Sequence, residues 1–350
     1  MNLNRKGKFV FVTLGVFALA AASLWLFLFQ PFHGQPSSTT KVVVISPGSG
    51  LSQIAAKLEQ ERVISGTTRF ALRARLSGDV GQLQAGQFLM QEGMSYGSAL
   101  DVLTGRARVK GKYVTVPEGL AREEIAPVVA RAGVQGSYLA ASKVSSKLDP
   151  TKWGAPRGAS LDGFLYPNTY ELARPPSATS LVERQLEEFK TQIATVSMAR
   201  ARSKNLTVYD VLTIAAMVER ETAVAKERAL VAAVIWNRLK AHFPLGIDAT
   251  TRYQFHNWTR PLLASELASS SQWNTRNRQG LPPGPIGNPG IESIKAAANP
   301  ASVPYLYYVV KPWTCGEHTF TTTQAQFDEA VNSYNSARNS NGGRAPTKCS

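Results

Sequence analysis

A glutamate lies where the sequence predicts a buried helix face. Residues 207–228 read TVYDVLTIAAMVERETAVAKER and open with a Thr207–Asp210 capping box ahead of an apolar run. At about 100° per residue, Glu219 falls on the apolar arc of this helix and Glu221 points away from it. A carboxylate on such an arc must be paired, hydrogen-bonded or protonated, and burial makes it usable as a general acid near neutral pH. Periodicity alone leaves two interpretations open, a proton donor or a structural glutamate.

Turn-forming residues dominate the chain beyond this helix. A loop is predicted at 244–253, WNTR occupies 273–276, and GLPPGPIGNPG occupies 280–290. Aromatic faces stack on sugar rings and amides bond to hydroxyls, so such loops suit carbohydrate, although ordinary connections have the same composition. The candidate substrate-binding residues are Glu221, Asp248, Thr250, Trp273 and Asn274.

The N-terminus predicts a membrane anchor. Residues 1–8 are basic and form an expected cytoplasmic tail, and residues 9–29 contain no charge over a length that crosses a bilayer as a helix. Residues 30–40 form a polar linker. A cleavable signal peptide is the rival interpretation, but its apolar core is shorter and small residues end it. The rest of the chain is therefore expected outside the cytoplasm.

Composition narrows the classes of partner and cofactor. The net charge of +15 suits an acidic partner, but the basic residues are scattered and no nucleic-acid motif occurs, so no nucleic acid is expected. The four histidines and two cysteines follow no metal-ligand spacing, so we expect neither a metal nor a cofactor. Because Cys315 and Cys349 are expected outside the cytoplasm, they are predicted to form a disulfide.

The remaining chain predicts an α+β fold in two parts. Residues 41–110 combine a strand at 41–46, helices at 50–58, 65–76 and 95–104 and a strand at 87–91, which resembles a small LysM-like wall-binding module. Residues 111–335 alternate strands, helices and loops and are predicted to form a mixed α+β catalytic domain. Residues 336–350 form a polar tail that is expected to be mobile.

An ordered set of motifs resembles the YceG-like (MltG) family of endolytic murein transglycosylases. The resemblance extends over about residues 41–335, and its main pieces are VPEGL at 116–120, LDGFLYPNTY at 161–170, AAMVERET at 215–222, NRL at 237–239, WNTR at 273–276, GLPPGPIGNPG at 280–290, AAANP at 296–300, YLYYV at 305–309 and HTF at 318–320.

The resemblance implies a role for each part of the chain. By this resemblance Glu219 is the catalytic acid, and the fold consists of a LysM-like module followed by a mixed catalytic domain. The protein would be an inner-membrane enzyme that cleaves nascent peptidoglycan glycan, with penicillin-binding wall synthases as partners. The chain departs from the family pattern in two segments. Asp162 replaces a glutamate and Asn168 replaces an aspartate, which alters charge and reach in that loop. WNTR at 273–276 replaces YNTY and keeps an aromatic face and the amide of Asn274.

The number of carboxylates distinguishes the mechanisms. A glycoside hydrolase uses two, whereas a lytic transglycosylase needs one acid/base residue because a muramyl hydroxyl closes a 1,6-anhydro ring. Glu219 alone would suffice, with Asp248 or Glu221 tuning it. A non-catalytic, peptidoglycan-binding scaffold that recruits synthases is the alternative from another class, and it would need no buried glutamate.

Overall fold

The computed structural model describes residues 5–30, 33 and 35–349, and it divides into two compact units. One unit comprises Met1–Tyr113 and Glu171–Pro176, and the other comprises Val114–Tyr170 and Ser177–Ser350. The predicted cytoplasmic tail, linker and C-terminal tail fall partly outside the described residues, at 1–4, at 31, 32 and 34, and at 350.

The first unit is a small α+β assembly with its own core. Its strands β1 and β2 pair antiparallel from Thr40↔Gln91 to Ile45↔Gly86, and side chains from all its short helices bury against them. Each strand and short helix predicted over 41–110 is present within two residues of its expected ends. The elements are α1 (Arg5–Phe29), β1 (Thr40–Ile45), α2 (Leu51–Gln60), α3 (Thr67–Leu76), β2 (Gly86–Gln91) and α4 (Tyr96–Leu103).

Helix α1 contains the segment that was expected to span the membrane. In the described part of the chain, no helix meets the length and apolarity of a membrane span. The membrane anchor at 9–29 therefore stays a prediction. The LysM-like identity of residues 41–110 also stays a prediction.

The second unit is also mixed α+β, as predicted. The chain passes between the units in β3 (Lys112–Val116) and β4 (Asn168–Leu172), which pair with each other. The remaining elements are α5 (Arg122–Arg131), α6 (Tyr138–Ala141), α7 (Ala178–Ile193), α8 (Ala199–Arg202), α9 (Val208–Glu221), α10 (Arg228–Lys240), α11 (Asp248–Gln254), α12 (Ala264–Leu267), α13 (Ile291–Ala298), β5 (Tyr307–Val310), β6 (His318–Thr321) and α14 (Gln324–Ser340).

Helix α9 is the central element of this unit. The predicted capping box is present: Thr207 Oγ1 accepts from the Asp210 N–H at 3.1 Å, and Asp210 Oδ2 accepts from the Thr207 N–H at 2.8 Å. The helix packs against α10, α11 and α13 and is buried on every side from Val211 to Val218, whereas periodicity predicts one polar face. It ends at Glu221, and Thr222 adopts an extended conformation.

The β5–β6 hairpin and the C-terminal helix complete the unit. The predicted Cys315–Cys349 disulfide is present and joins the hairpin turn to the chain end. Helix α14 continues to Ser340, beyond the boundary predicted at 335, and Trp313 N–H donates to the Pro346 carbonyl at 2.6 Å. The segment expected to be a mobile tail therefore has helical structure and fixed contacts in its described part.

Candidate active site

Glu219 lies in the last turn of α9, and its side chain is 9% exposed. The Gly290 N–H, at the start of α13, donates to Glu219 Oε2 at 3.0 Å. Arg228 Nη2 lies 3.6 Å from Oε1, and its Nε donates to Ser293 Oγ at 3.2 Å. Three elements therefore hold one carboxylate, because α9 carries it, α10 supplies the cation and α13 supplies a backbone donor at its positive end.

Two motif loops meet beside this carboxylate. The Gly119 N–H donates to the Asn288 carbonyl at 2.7 Å, and the Asn288 N–H donates to the Leu120 carbonyl at 3.0 Å. This pairing joins VPEGL to the loop that precedes α13. Gly119 has φ +80°, and a Cβ there would lie 3.3 Å from Glu219 Cγ, so only glycine fits this turn without strain.

Glu118 is a second carboxylate at the site, which sequence reasoning did not select. A Cβ built on Gly290 would lie 2.1 Å from Glu118 Oε1, so the Glu118 carboxylate packs against the Gly290 backbone. Both carboxylates contact Gly290 and, with ordinary bond lengths, lie within about 8 Å of each other. The side chain is exposed overall, yet burial of its carboxylate against Gly290 and the charge of Glu219 raise the pKa of Glu118, while Arg228 lowers it.

The LDGFLYPNTY segment supports the same loops. Asn288 Oδ1 accepts from the N–H groups of Gly163 and Leu165 at 2.8 and 3.0 Å. Asp162 is 1% exposed and accepts from the Arg122 N–H at 3.0 Å and the Tyr253 hydroxyl at 2.9 Å. Burial raises the pKa of Asp162 to about 6. Asp162 therefore ties this segment to α5 and α11.

Glu221 and Asp248 belong to a separate polar group. The Tyr308 hydroxyl donates to Glu221 Oε2 at 3.0 Å, and burial raises the pKa of Glu221. Asp248 forms an ion pair with Arg276 at 2.5 Å, and its negative charge raises the pKa of Glu221 further. Among the described contacts, neither carboxylate forms a hydrogen bond or ion pair with Glu219. No direct contact therefore supports the predicted effect of Glu221 or Asp248 on Glu219.

Thr250 and Asn274 have no surface available to a ligand. Both are 0% exposed. Thr250 Oγ1 donates to the Ile247 carbonyl at 2.7 Å, and Asn274 Nδ2 donates to the carbonyls of Leu267 and Ser269 at 2.9 and 2.8 Å. In this geometry both support the loop. Trp273 is half-buried with its ring centroid 4.7 Å from that of Tyr253.

An open cleft of about 360 Å³ borders Arg228 and Glu292. Within the described residues, no three His, Cys, Asp or Glu side chains converge to hold a metal ion. Arg228 contacts Glu219 and also lines this cleft. A buried carboxylate held by a fixed arginine can transfer protons, as acid–base catalysis requires.

Comparisons with known proteins identify the family. The model of the YceG-like family matches residues 43–333, and the chain belongs to this family. The chain is 28% identical over 326 residues to an endolytic murein transglycosylase of Bacillus subtilis, covering 89% of each. It is 27% identical over 321 residues to an endolytic murein transglycosylase of Streptococcus pneumoniae, covering 83% of this chain but 57% of that relative. A YceG-like protein of Listeria monocytogenes shares the fold, with a TM-score of 0.56 at 24% identity over 84% of this chain and 99% of that one.

Proposed function

We propose that the protein is an endolytic peptidoglycan lytic transglycosylase with Glu219 as its general acid and base. It cleaves the MurNAc–GlcNAc bond within nascent glycan strands and leaves 1,6-anhydro-MurNAc ends. The observation that carries the proposal is the placement of Glu219, largely buried, with defined partners on two further elements, of which Arg228 also lines an open cleft. The names of the Bacillus and Streptococcus relatives support the substrate class.

The reaction needs one proton to move twice. Protonated Glu219 donates to the glycosidic oxygen as the bond from that oxygen to the muramyl anomeric carbon breaks. The muramyl C6 hydroxyl then bonds to the anomeric carbon and returns its proton to the carboxylate, so no water is consumed. Between these steps Glu219 is ionised, and both the Gly290 N–H and the Arg228 guanidinium favour that form.

Substrate contacts outside the acid are proposed for the partly exposed residues. The Asp248–Arg276 pair has side chains 42% and 45% exposed and offers both charges to sugar hydroxyls or to the peptide stem. Trp273 offers part of a ring face, and Glu221 orients Tyr308.

The cellular arrangement follows from the N-terminal segment. We propose a single-pass inner-membrane protein whose residues 9–29 span the bilayer, with the N-terminus cytoplasmic and the catalytic domain periplasmic. Residues 41–110 act as a LysM-like glycan-binding module, and penicillin-binding wall synthases are the proposed protein partners.

The decisive experiment is a muropeptide digest with wild-type protein and the Glu219→Gln variant. Gln has nearly the same volume but cannot donate the proton, so activity is expected to fall by about 10²–10⁴-fold. The wild-type products should end in anhydro-muramyl residues that borohydride does not reduce. Reducible ends would identify a hydrolase, and full activity of the variant would exclude Glu219 from the chemistry.

The scaffold alternative makes a different prediction for the same digest. A non-catalytic peptidoglycan-binding protein would release no fragments, and the Gln variant would match the wild type in strand binding and in recruitment of synthases. Thermal unfolding of both proteins, expected at similar temperatures, provides the control for folding.

A further inference from the structure

A cavity of about 480 Å³ lies between the α8 region and the C-terminal half of α10, within the second unit. Three cations and three apolar side chains line it: Arg200, Lys204, Lys240, Leu206, Trp236 and Leu239. Among the described residues that line this cationic cavity, none is an aspartate or a glutamate. Positive charge and apolar surface therefore face the same space.

The cations of the cationic cavity have no carboxylate partner among the described contacts. Arg200 is held by neutral acceptors, because its Nη1 donates to Asn299 Oδ1 at 3.0 Å and to the Pro300 carbonyl at 2.6 Å. Lys204 and Lys240 are exposed, and the described contacts give their side chains no hydrogen bond or ion pair. Their charge is available to an anion from outside the chain.

The cleft beside Arg228 shows the opposite arrangement. Each cation that lines it has a carboxylate within 4 Å, and the pairs are Lys226–Glu317 at 2.8 Å, Arg228–Glu219 at 3.6 Å and Lys295–Glu292 at 2.8 Å. The chain thus neutralises the cations next to the proposed acid and leaves those of the cationic cavity uncompensated.

Trp236 gives the cationic cavity a fixed apolar wall. Its indole Nε1 donates to the Ala297 carbonyl at 3.1 Å, which anchors the partly exposed ring to the end of α13. The Arg200 guanidinium lies 5.9 Å from the ring centroid, so the apolar wall adjoins the positive one. Such a cavity suits a ligand that combines small apolar groups with negative charge.

Two helices connect the cationic cavity to the proposed acid. Arg228, the first residue of α10, contacts Glu219, and Trp236 follows about 12 Å further along the helix axis. Helix α13 runs the same way, because Gly290 at its start binds Glu219 and Ala297 near its end binds Trp236. An extended peptide of four residues spans about 13–14 Å, which is enough to cover this distance.

We propose that the cationic cavity binds the acidic peptide stem of a muramyl residue held near Glu219, an inference that rests on the function proposed above. The stem is a short peptide with alanine methyl groups and free carboxylates, which matches the two walls. Its carboxylates pair with Lys204 and Lys240, and its methyl groups pack on Trp236. The contact positions the strand and takes no part in proton transfer.

The test is strand binding by full-length Glu219→Gln protein in detergent, which under the proposed function holds strands without cutting them. The two ligands are purified strands that keep their stems and the same strands after an amidase has removed the stems. Adding Lys204→Gln and Lys240→Gln together should weaken binding of stem-bearing strands by about five- to tenfold, because two exposed ion pairs are lost. Binding of stem-free strands should not change. The isolated stem tetrapeptide has no glycosidic bond to cleave and provides the same comparison on the wild-type background.

The matched control replaces Lys143 and Lys152 by glutamine in the same background. Both lysines are exposed on the same unit, outside the cationic cavity, and their loss lowers the net charge equally. The control should bind both ligands as the parent does, and thermal unfolding checks that both double variants are folded. Unchanged binding of stem-bearing strands, an equal loss for both ligands, or the same loss in the control would overturn the inference. Failure of the proposed function appears separately, as full activity in Glu219→Gln or as reducible product ends.

Discussion

Two glycines in the loop before α13 provide a test of how the site is built. A Cβ at Gly287 would lie 2.2 Å from the Gly119 carbonyl oxygen, and a Cβ at Gly290 would lie 2.1 Å from Glu118 Oε1. The overlaps are nearly equal, but the obstacle at Gly287 is backbone and the obstacle at Gly290 is the end of a flexible side chain. The two alanine variants should therefore differ in stability although the added atom is the same.

The cost of Gly287→Ala follows from the backbone pairing. The methyl group must push Gly119 away by about 1 Å, which strains the hydrogen bonds between Asn288 and the 119–120 backbone. Overpacking of this kind costs about 1–3 kcal/mol, and we expect a value near the upper end. A loss of about 2–3 kcal/mol lowers the melting temperature of a unit this size by about 4–12 °C. Gly290→Ala should lower it by less than half as much, because Glu118 can rotate away.

Tryptophan fluorescence during heating measures this difference. Five of the six tryptophans belong to the second unit, so the signal reports mainly on the unit that contains both glycines. The full-length wild-type protein in detergent is the reference. Equal melting temperatures for the two variants, or a larger loss for Gly290→Ala, would refute the packing of VPEGL against the α13 loop.

Two further predictions concern the disulfide and a buried carboxyl. Replacement of Cys315 and Cys349 by serine opens a link across 34 residues and should destabilise the second unit by about 3–4 kcal/mol, measured by thermal unfolding without reductant; an unchanged melting temperature would exclude a stabilising link. The folded-state pKa of Asp162 is raised from 3.8 to about 6, so its contribution to stability is fully present below pH 3.8 and is lost as pH rises through about 6. Unfolding free energy measured between pH 4 and 7 should therefore fall less in Asp162→Asn than in the wild type, and parallel curves would contradict the buried environment of Asp162.

In the first unit the local sequence predicted the helices and strands, because their residues follow simple helix and strand patterns. A run of β-branched residues predicted β1, and apolar spacing predicted α2, α3 and α4, all within two residues. Helix α9 was predicted with a polar face, but neighbouring helices and loops bury Tyr209 and Thr213 as well. Periodicity describes one helix and contains no information on how many neighbours will surround it.

The candidate site was predicted only in part, because local patterns contain no information on contacts between distant segments. Glu219 stood out because a charge on an apolar arc is visible within one helix. Glu118 did not, since its proximity to Gly290 depends on a contact between loops that no local pattern encodes. Thr250 and Asn274 were selected for their polar groups, yet those groups are bonded to backbone carbonyls. Residue type shows what a side chain is able to bind, whereas the fold decides whether the protein's own backbone has already bound it.

The pairing of VPEGL with the α13 loop also has a consequence for when the enzyme becomes active. Glu219 and the Gly290 N–H that binds it are 71 residues apart, and the Gly119 loop comes from still earlier in the chain. Such non-local contacts form only after long loops have closed, which makes them late events in folding. A chain that emerges from its N-terminus onward cannot complete this centre until Gly290 has followed. Under the proposed function, glycan cleavage is thereby withheld from every incompletely synthesised chain without any separate inhibitor.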